Sequence, residues 1–318
     1  MNFLIYFESF KIKTKRRKIM RRSLVLFLCA ASTLNAFGHG DDSHFPNQQD
    51  VQVKTTLVSG NVYMLQGRGG NVGALTGPEG ILIVDDDYKA ISTKLAAALK
   101  ELGSEKPRFV LNTHWHADHT EGNEFFGKDS TIIAHINVRK RMSQSNILFG
   151  NTIPASPVQA WPVITYEDSI TIHFDGEDIK AVHYPNGHTD GDTVVFFPKA
   201  NVVHLGDDFF VGRFPFVDLE SGGSVQGLIN NVGSLIAKIP ADAKLIPGHG
   251  AISTMDDLKA YHQMLLETSK IVTDGMKKKK TLDELKKAGF PEKFKAAGSG
   301  FIKTEQWIET IYKSYSKK

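Results

Sequence analysis

Six consecutive residues, His114-Trp115-His116-Ala117-Asp118-His119, carry four ligand-type side chains directly after the apolar run Phe109-Val110-Leu111. A strand ending in a bend can aim such side chains at one or two points, and neutral imidazole with carboxylate suits Zn2+ at ligand distances near ~2.0–2.2 Å. Three of the chain's 12 histidines fall within these six positions, beside an aspartate. That concentration argues against a solvated loop holding them by chance. Any fold for this chain has to end a strand here and bring further ligands to it.

Three later segments have the same setting. Gly187-His188-Thr189 follows an apolar run ending at Tyr184, Gly206-Asp207-Asp208 follows one ending at Leu205, and Gly248-His249-Gly250 follows one ending at Ile246. Each sits where a strand meets a glycine-containing loop, the place where folds with packed sheets present functional side chains. Alone, each would read as an ordinary turn; together and in this order they do not.

The order HxHxDH, GHT, GD and PGHG resembles the metallo-β-lactamase superfamily, which includes glyoxalase II, lactonases and ribonuclease Z. The resemblance covers essentially residues 55–255. It implies an α/β (α+β) chain folded as a four-layer αββα sandwich, with two Zn2+ at one edge of the sheets. It further implies that His114, His116 and His188 hold the first zinc, that Asp118, His119 and His249 hold the second, and that Asp207 bridges them. Asp208 competes for the bridge; Asp207 is preferred because it directly follows Gly206. Asp85 occupies the position of a family aspartate that steadies the ligand loop.

The stretch from Gly187 to Phe210 looks especially like the periplasmic β-lactamase branch, with one departure. Where those enzymes carry a cysteine ligand, this chain has Asp207, the pattern of the thioesterase, lactonase and nuclease branches. The only cysteine, Cys29, lies near the N-terminus, inside a segment that reads as a leader. A mature chain without thiols must hold any metal by His and carboxylates.

That leader is expected over residues 1–38. Arg21 and Arg22 precede the apolar run Leu24 to Ala31, and Ala36-Phe37-Gly38 offers a small-residue cleavage pattern, with Leu34-Asn35-Ala36 as the alternative. Met20 is an alternative start. The run is too short to span a bilayer, so no stable membrane span is expected after its removal, and the location is expected to be periplasmic or secreted. Eight of the 38 basic residues but only one of the 35 acidic residues fall within 1–38. The remaining body is mildly acidic, which gives no reason to expect nucleic-acid binding.

Residues 39–318 are read as a single domain. Strands are expected over Val51–Val58, Val62–Leu65, Asn71–Leu75, Ile81–Val84 and Arg108–Asn112, with a helix over Ile91–Leu102. A second block follows: strands near Thr131–Ala134, Ile170–Phe174, Ile179–Tyr184, Thr193–Pro198, Asn201–Leu205 and Ala243–Ile246. Helices are expected over Ser224–Ala237, Met255–Met276, Leu282–Ala288 and Thr304–Tyr315. Two blocks of strands, each followed by helices, make two packed sheets covered outside by helices.

The expected function is zinc-dependent hydrolysis of a small molecule, with a metal-bound hydroxide attacking a carbonyl and Asp118 orienting the nucleophile. A β-lactam-like substrate ranks narrowly ahead of esters, thioesters and lactones. The alternative is a mononuclear iron dioxygenase of the persulfide dioxygenase type; diiron flavoprotein partners carry a glutamate where His116 stands. Arg213 is a candidate for binding a substrate carboxylate. Trp115, Phe209, Phe210, Phe214 and Phe216 are candidates to line a pocket, with core packing as the default, and His135, His173, His183, His204 and His262 are assigned to structural roles. His39 and His44, with Asp41 and Asp42, form a minor candidate chelating patch. Oligomeric state is not legible from the sequence.

Overall fold

A computed structural model describes residues 51–316; the leader, its cleavage pattern and the His39/His44 patch lie outside them. The first sheet begins as a meander, β1 (Lys54–Ser59), β2 (Val62–Gln66), β3 (Val72–Gly77) and β4 (Gly80–Val84), paired antiparallel. It continues with β5 (Phe109–Asn112) and β6 (Thr131–His135), each parallel to its predecessor. The crossover from β4 to β5 is helix α1 (Ser92–Glu101). The crossover to β6 holds two single turns, α2 (Ala117–Thr120) and α3 (Asn123–Phe126).

After β6 come α4 (Ile136–Met142) and a hairpin of β7 (Asn146–Leu148) and β8 (Asn151–Ile153). Strand β9 (Ile164–Tyr166) then closes the seven-stranded sheet beside β6. The second sheet has the order β10 (Ser169–Phe174), β11 (Glu177–His183), β12 (Thr193–Phe197), β13 (Val202–His204) and β14 (Lys244–Ile246). Its last pair is parallel because α5 (Val225–Lys238) makes the crossover.

Alternation along the strands builds the layers. In β4, Leu82 and Val84 face the second sheet and pack with Leu111, Ile179, Val195, Phe197 and Ile246. Ile81 and Ile83 face the other way, onto Leu95, Ala96 and Leu99 of α1. The outer face of the second sheet, with Val194, Val203 and Leu245, packs on α5, α6 (Met255–Lys277) and α8 (Thr304–Ser316). This is the four-layer αββα sandwich. Each fully buried Leu, Ile or Val in it contributes about 1.5–3 kcal/mol of transfer free energy.

Helix boundaries follow local chemistry. Reciprocal capping boxes start α6, between Thr254 and Asp257, and α7 (Leu282–Ala288), between Thr281 and Glu284. Ser224 caps α5, which ends at Ile239 in the extended conformation imposed before Pro240. The long strands and helices lie within a few residues of their expected places. Helices α2 to α4, the hairpin and β9 were not anticipated, because three- to seven-residue elements carry too few side chains to display a period. Among the described residues, no helix is long and apolar enough to cross a membrane.

Candidate metal centre

The expected ligands all come from the loops and single helical turns that follow strands β5, β11, β13 and β14. Thr113 and His114 follow β5, His116 is the N-cap of α2, and Asp118 and His119 lie within that single turn. His188 follows β11, Asp207 lies in a single 3-10 turn after β13, and His249 follows β14. Three overlapping groups result: His114, His116 and His188; His114, His119 and Asp207; and Asp118, His119 and His249, with the candidate donor atoms of each group within 4.8 Å of one another. The structure thus brings together all seven residues singled out in the sequence.

Hydrogen bonds on the far side of the imidazoles fix which nitrogens face inward. His119 Nδ1 donates to Asp85 Oδ2 at 2.7 Å, and His116 Nε2 donates to Asp218 Oδ2 at 3.0 Å. His188 Nδ1 donates to the Phe216 carbonyl at 2.8 Å. Thr113 Oγ1 gives its proton to Asp85 and so accepts from His114 Nδ1 at 3.0 Å. Each of the four rings therefore turns its other nitrogen towards the centre. His188 Nε2 and His116 Nδ1 face each other at 2.8 Å, an arrangement that needs a cation or a proton between them. His114 Nε2, His119 Nε2 and Asp207 Oδ1 are buried without a hydrogen-bond partner. Orphaned buried polar atoms are costly unless something binds them, and these converge. The donor set, imidazole and carboxylate, fits a bound transition-metal cation.

Electrostatics agree. Burial pulls the His114 and His188 pKa values down, that of His188 to about 4. For His249 burial acts the same way but is outweighed by Asp207 and Asp118, which raise it to about 9. His119 is likewise raised, burial being overcome by Asp207, Asp118 and Asp85. Asp207 is held low by its four histidine neighbours against the effect of burial. Positive charge is wanted between the carboxylates, and protons fill the place of a cation.

The neighbouring backbone is shaped to these groups. A Cβ on Gly248 would stand 1.9 Å from Asp207 Oδ1, and one on Gly70 would stand 2.2 Å from His119 Cε1. Asp85 adopts a left-handed φ of 63°, an unusual conformation of the kind retained at functional sites. From there it binds the Thr113 amide and hydroxyl as well as His119. Asp118 and His249 each keep 21% of their side chains exposed, whereas His119 and His188 are fully buried. The centre opens on the Asp118–His249 side.

The profile of the metallo-beta-lactamase superfamily matches residues 55–268. The chain belongs to this superfamily. Solved structures with the same fold include the DIM-1 metallo-beta-lactamase, at 20% identity and a TM-score of 0.54, covering 69% of this chain and all of that one. The metallo-beta-lactamase from Pontibacter korlensis aligns at 15% identity and a TM-score of 0.56, covering 68% of this chain and 99% of its own. The sec-alkylsulfatase Pisa1 from Pseudomonas sp. aligns at 13% identity with a TM-score of 0.63, over 83% of this chain but only 50% of its own length. No curated protein matches.

Within this metallo-β-lactamase fold the secondary candidates divide. Asp208 turns away from the centre towards Gly187, Asn231 and Asp192, so Asp207 alone of the pair reaches the histidines. Phe209 and Phe214 belong to the core as expected, and Trp115 packs on Ala134, Val138 and Met142. Phe210 belongs to the same core and Phe216 packs against it, and both rings also reach the centre. Phe210 stacks on His249 at 5.3 Å, and Phe216 lies 5.5 Å and 5.7 Å from the rings of His116 and His188. Arg213 runs alongside Gly300, half-buried. His204 bonds the Asn71 carbonyl, His262 the Ile229 carbonyl, His173 pairs with Asp178, and His135 stacks on His183.

Asp218 was missed by sequence reasoning. It is 1% exposed, and its Oδ1 accepts from the amides of Glu220 and Ser221 while Oδ2 holds His116. The only local signal was an Asp positioned to bond its own chain two residues on, and such turns are common.

Proposed function

We propose that this superfamily member is an exported hydrolase that holds two Zn2+ and cleaves a carboxylic ester, thioester, lactone or β-lactam. His114, His116 and His188 would hold one ion, Asp118, His119 and His249 the other, with Asp207 shared. Such ions, when bound, would lower the pKa of a coordinated water towards neutrality and polarise a carbonyl.

The residues of the chain do the rest. Asp85 and Asp218 keep His119 and His116 in one orientation, so the inward nitrogens do not wander. Asp118 stands at the open face. Burial raises its pKa, but His119 and His249 outweigh this and lower it to about 2, so it is a ready acceptor. It would accept a hydrogen bond from the attacking water, take up the proton that this water loses on attack and pass it to the leaving group. Phe210, stacked on His249, and Phe216, against His116 and His188, exclude bulk water from two sides.

The observation that carries this reading is the set of four histidines with one nitrogen bonded outward and the other turned inward around Asp207. The basic leader followed by an apolar run supports export. The test is metal analysis of the isolated protein together with turnover of nitrocefin, a carbapenem, lactones and S-lactoylglutathione, with and without chelator. Two zinc ions per chain and chelator-sensitive hydrolysis are expected. One iron per chain with oxygen uptake would replace this reading by the dioxygenase one.

A further inference from the structure

The hairpin of β7 and β8 turns through Phe149 and Gly150, both at positive φ, 51° and 73°. Two such residues between paired strands make a type I′ turn, whose first position favours Asn, Asp or Gly because a Cβ is strained there. A phenylalanine at that position is costly, and its ring is not used for the core: 55% of Phe149 is exposed. Instead the ring stacks on Phe216, centroids 4.6 Å apart and planes at 29°, and meets the edge of Phe301 at 6.0 Å. Phe301 is itself 61% exposed. Phe216 in turn rests on His116 and His188. Three phenylalanines from three distant segments thus form a continuous wall that runs from solvent to the imidazoles of one ligand group. Single exposed apolar residues need no explanation, but a strained one completing a wall that leads into a polar centre does.

We infer that Phe149, Phe216 and Phe301 form an aromatic subsite that selects substrates carrying a flat aromatic group next to the reacting carbonyl. This rests on the metal-centre reading above. Offset or edge-on ring contacts add about 0.5–1.5 kcal/mol each beyond area burial, so loss of one wall ring corresponds to roughly a two- to twelvefold change in affinity.

The test uses two metal-chelating probes that differ by one phenyl ring, acetohydroxamate and phenylacetohydroxamate, titrated calorimetrically into the zinc-loaded full chain. Phenylacetohydroxamate is expected to bind at least tenfold more tightly. Phe149→Asn, which places the preferred residue in the turn and so preserves the hairpin, is expected to shrink that ratio severalfold. The affinity for acetohydroxamate should stay unchanged. Ile147→Thr, a control at an exposed hairpin position, should leave the ratio alone. Equal binding of the two probes, or a ratio untouched by Phe149→Asn, overturns the aromatic subsite while leaving the metal centre standing. If neither probe binds, the metal centre fails and the subsite fails with it.

Discussion

Asp218 Oδ2 lies 3.0 Å from His116 Nε2, and the same carboxylate closes its own turn by accepting from the Glu220 and Ser221 amides. One buried side chain therefore ties a candidate ligand from the turn after β5 to the loop that precedes α5, 102 residues later. Partners behind a ligating histidine typically govern metal affinity or activity by about 10–100-fold. Asp218→Asn keeps an oxygen for the two amides but loses the charged acceptor for Nε2. Zinc titration of this variant is expected to show affinity for the His114–His116–His188 group falling within that range, with the melting temperature of the metal-free protein little changed. Affinity within twofold of wild type would deny Asp218 a positioning role.

Gly248 makes a sterically sharper prediction. Its missing Cβ would sit 1.9 Å from Asp207 Oδ1 and 2.7 Å from the Gly206 backbone. Gly248→Ala must displace either the carboxylate or the chain carrying His249, and overpacking of this kind costs about 1–3 kcal/mol. Denaturant unfolding should show a loss of that order, with zinc stoichiometry reduced. Two ions retained at wild-type affinity would mean that the loop absorbs the methyl group harmlessly.

Much of this candidate centre was legible in the sequence because its candidate ligands sit in short, recognisable patterns. His114, His116, Asp118 and His119 share one turn, and His188, Asp207 and His249 each follow a recognisable strand beside glycine. The layers were legible for a related reason: β4 and β5 are short but buried on both faces, and α5, α6 and α8 are long enough to show a helical period. What stayed hidden was written in contacts between distant residues. Asp218 matters only because the fold carries it to His116, and Phe149 only because its hairpin leans on Phe216. A three-residue strand such as β7 has no sequence pattern of its own, and its place is set by what it packs against.

Metal removal should be visible as stability. An ion that binds only the folded chain stabilises it by about 2.7 kcal/mol at a hundred times its dissociation constant, which for a domain of this size is a rise of several degrees in melting temperature. The increase is expected on adding zinc and should reverse with a chelator. Asp207→Asn, which removes the one carboxylate lying near both groups, should abolish most of it. An unchanged melting temperature at saturating zinc would contradict a metal centre built from these residues.

Away from the centre, His135 and His183 stack face to face, ring centroids 3.7 Å apart and nearly parallel, across the seam between β6 and β11. Burial lowers the pKa of both, and the charge of its partner lowers that of His135 further, to about 4, against weaker opposing effects from Asp190 and Asp168. Since the folded pKa lies below the unfolded value near ~6.5, the unfolded chain binds more protons between these limits. Stability therefore rises with pH across that interval. The contribution is complete above about 6.5 and is lost as pH falls towards 4. His135→Phe keeps a flat ring for stacking and cannot be protonated. Chemical denaturation of the metal-free protein at pH 4.5, 5.5 and 6.5 should show a shallower loss of stability on acidification for this variant than for wild type. Equal slopes would mean that the stacked pair carries no part of the acid sensitivity.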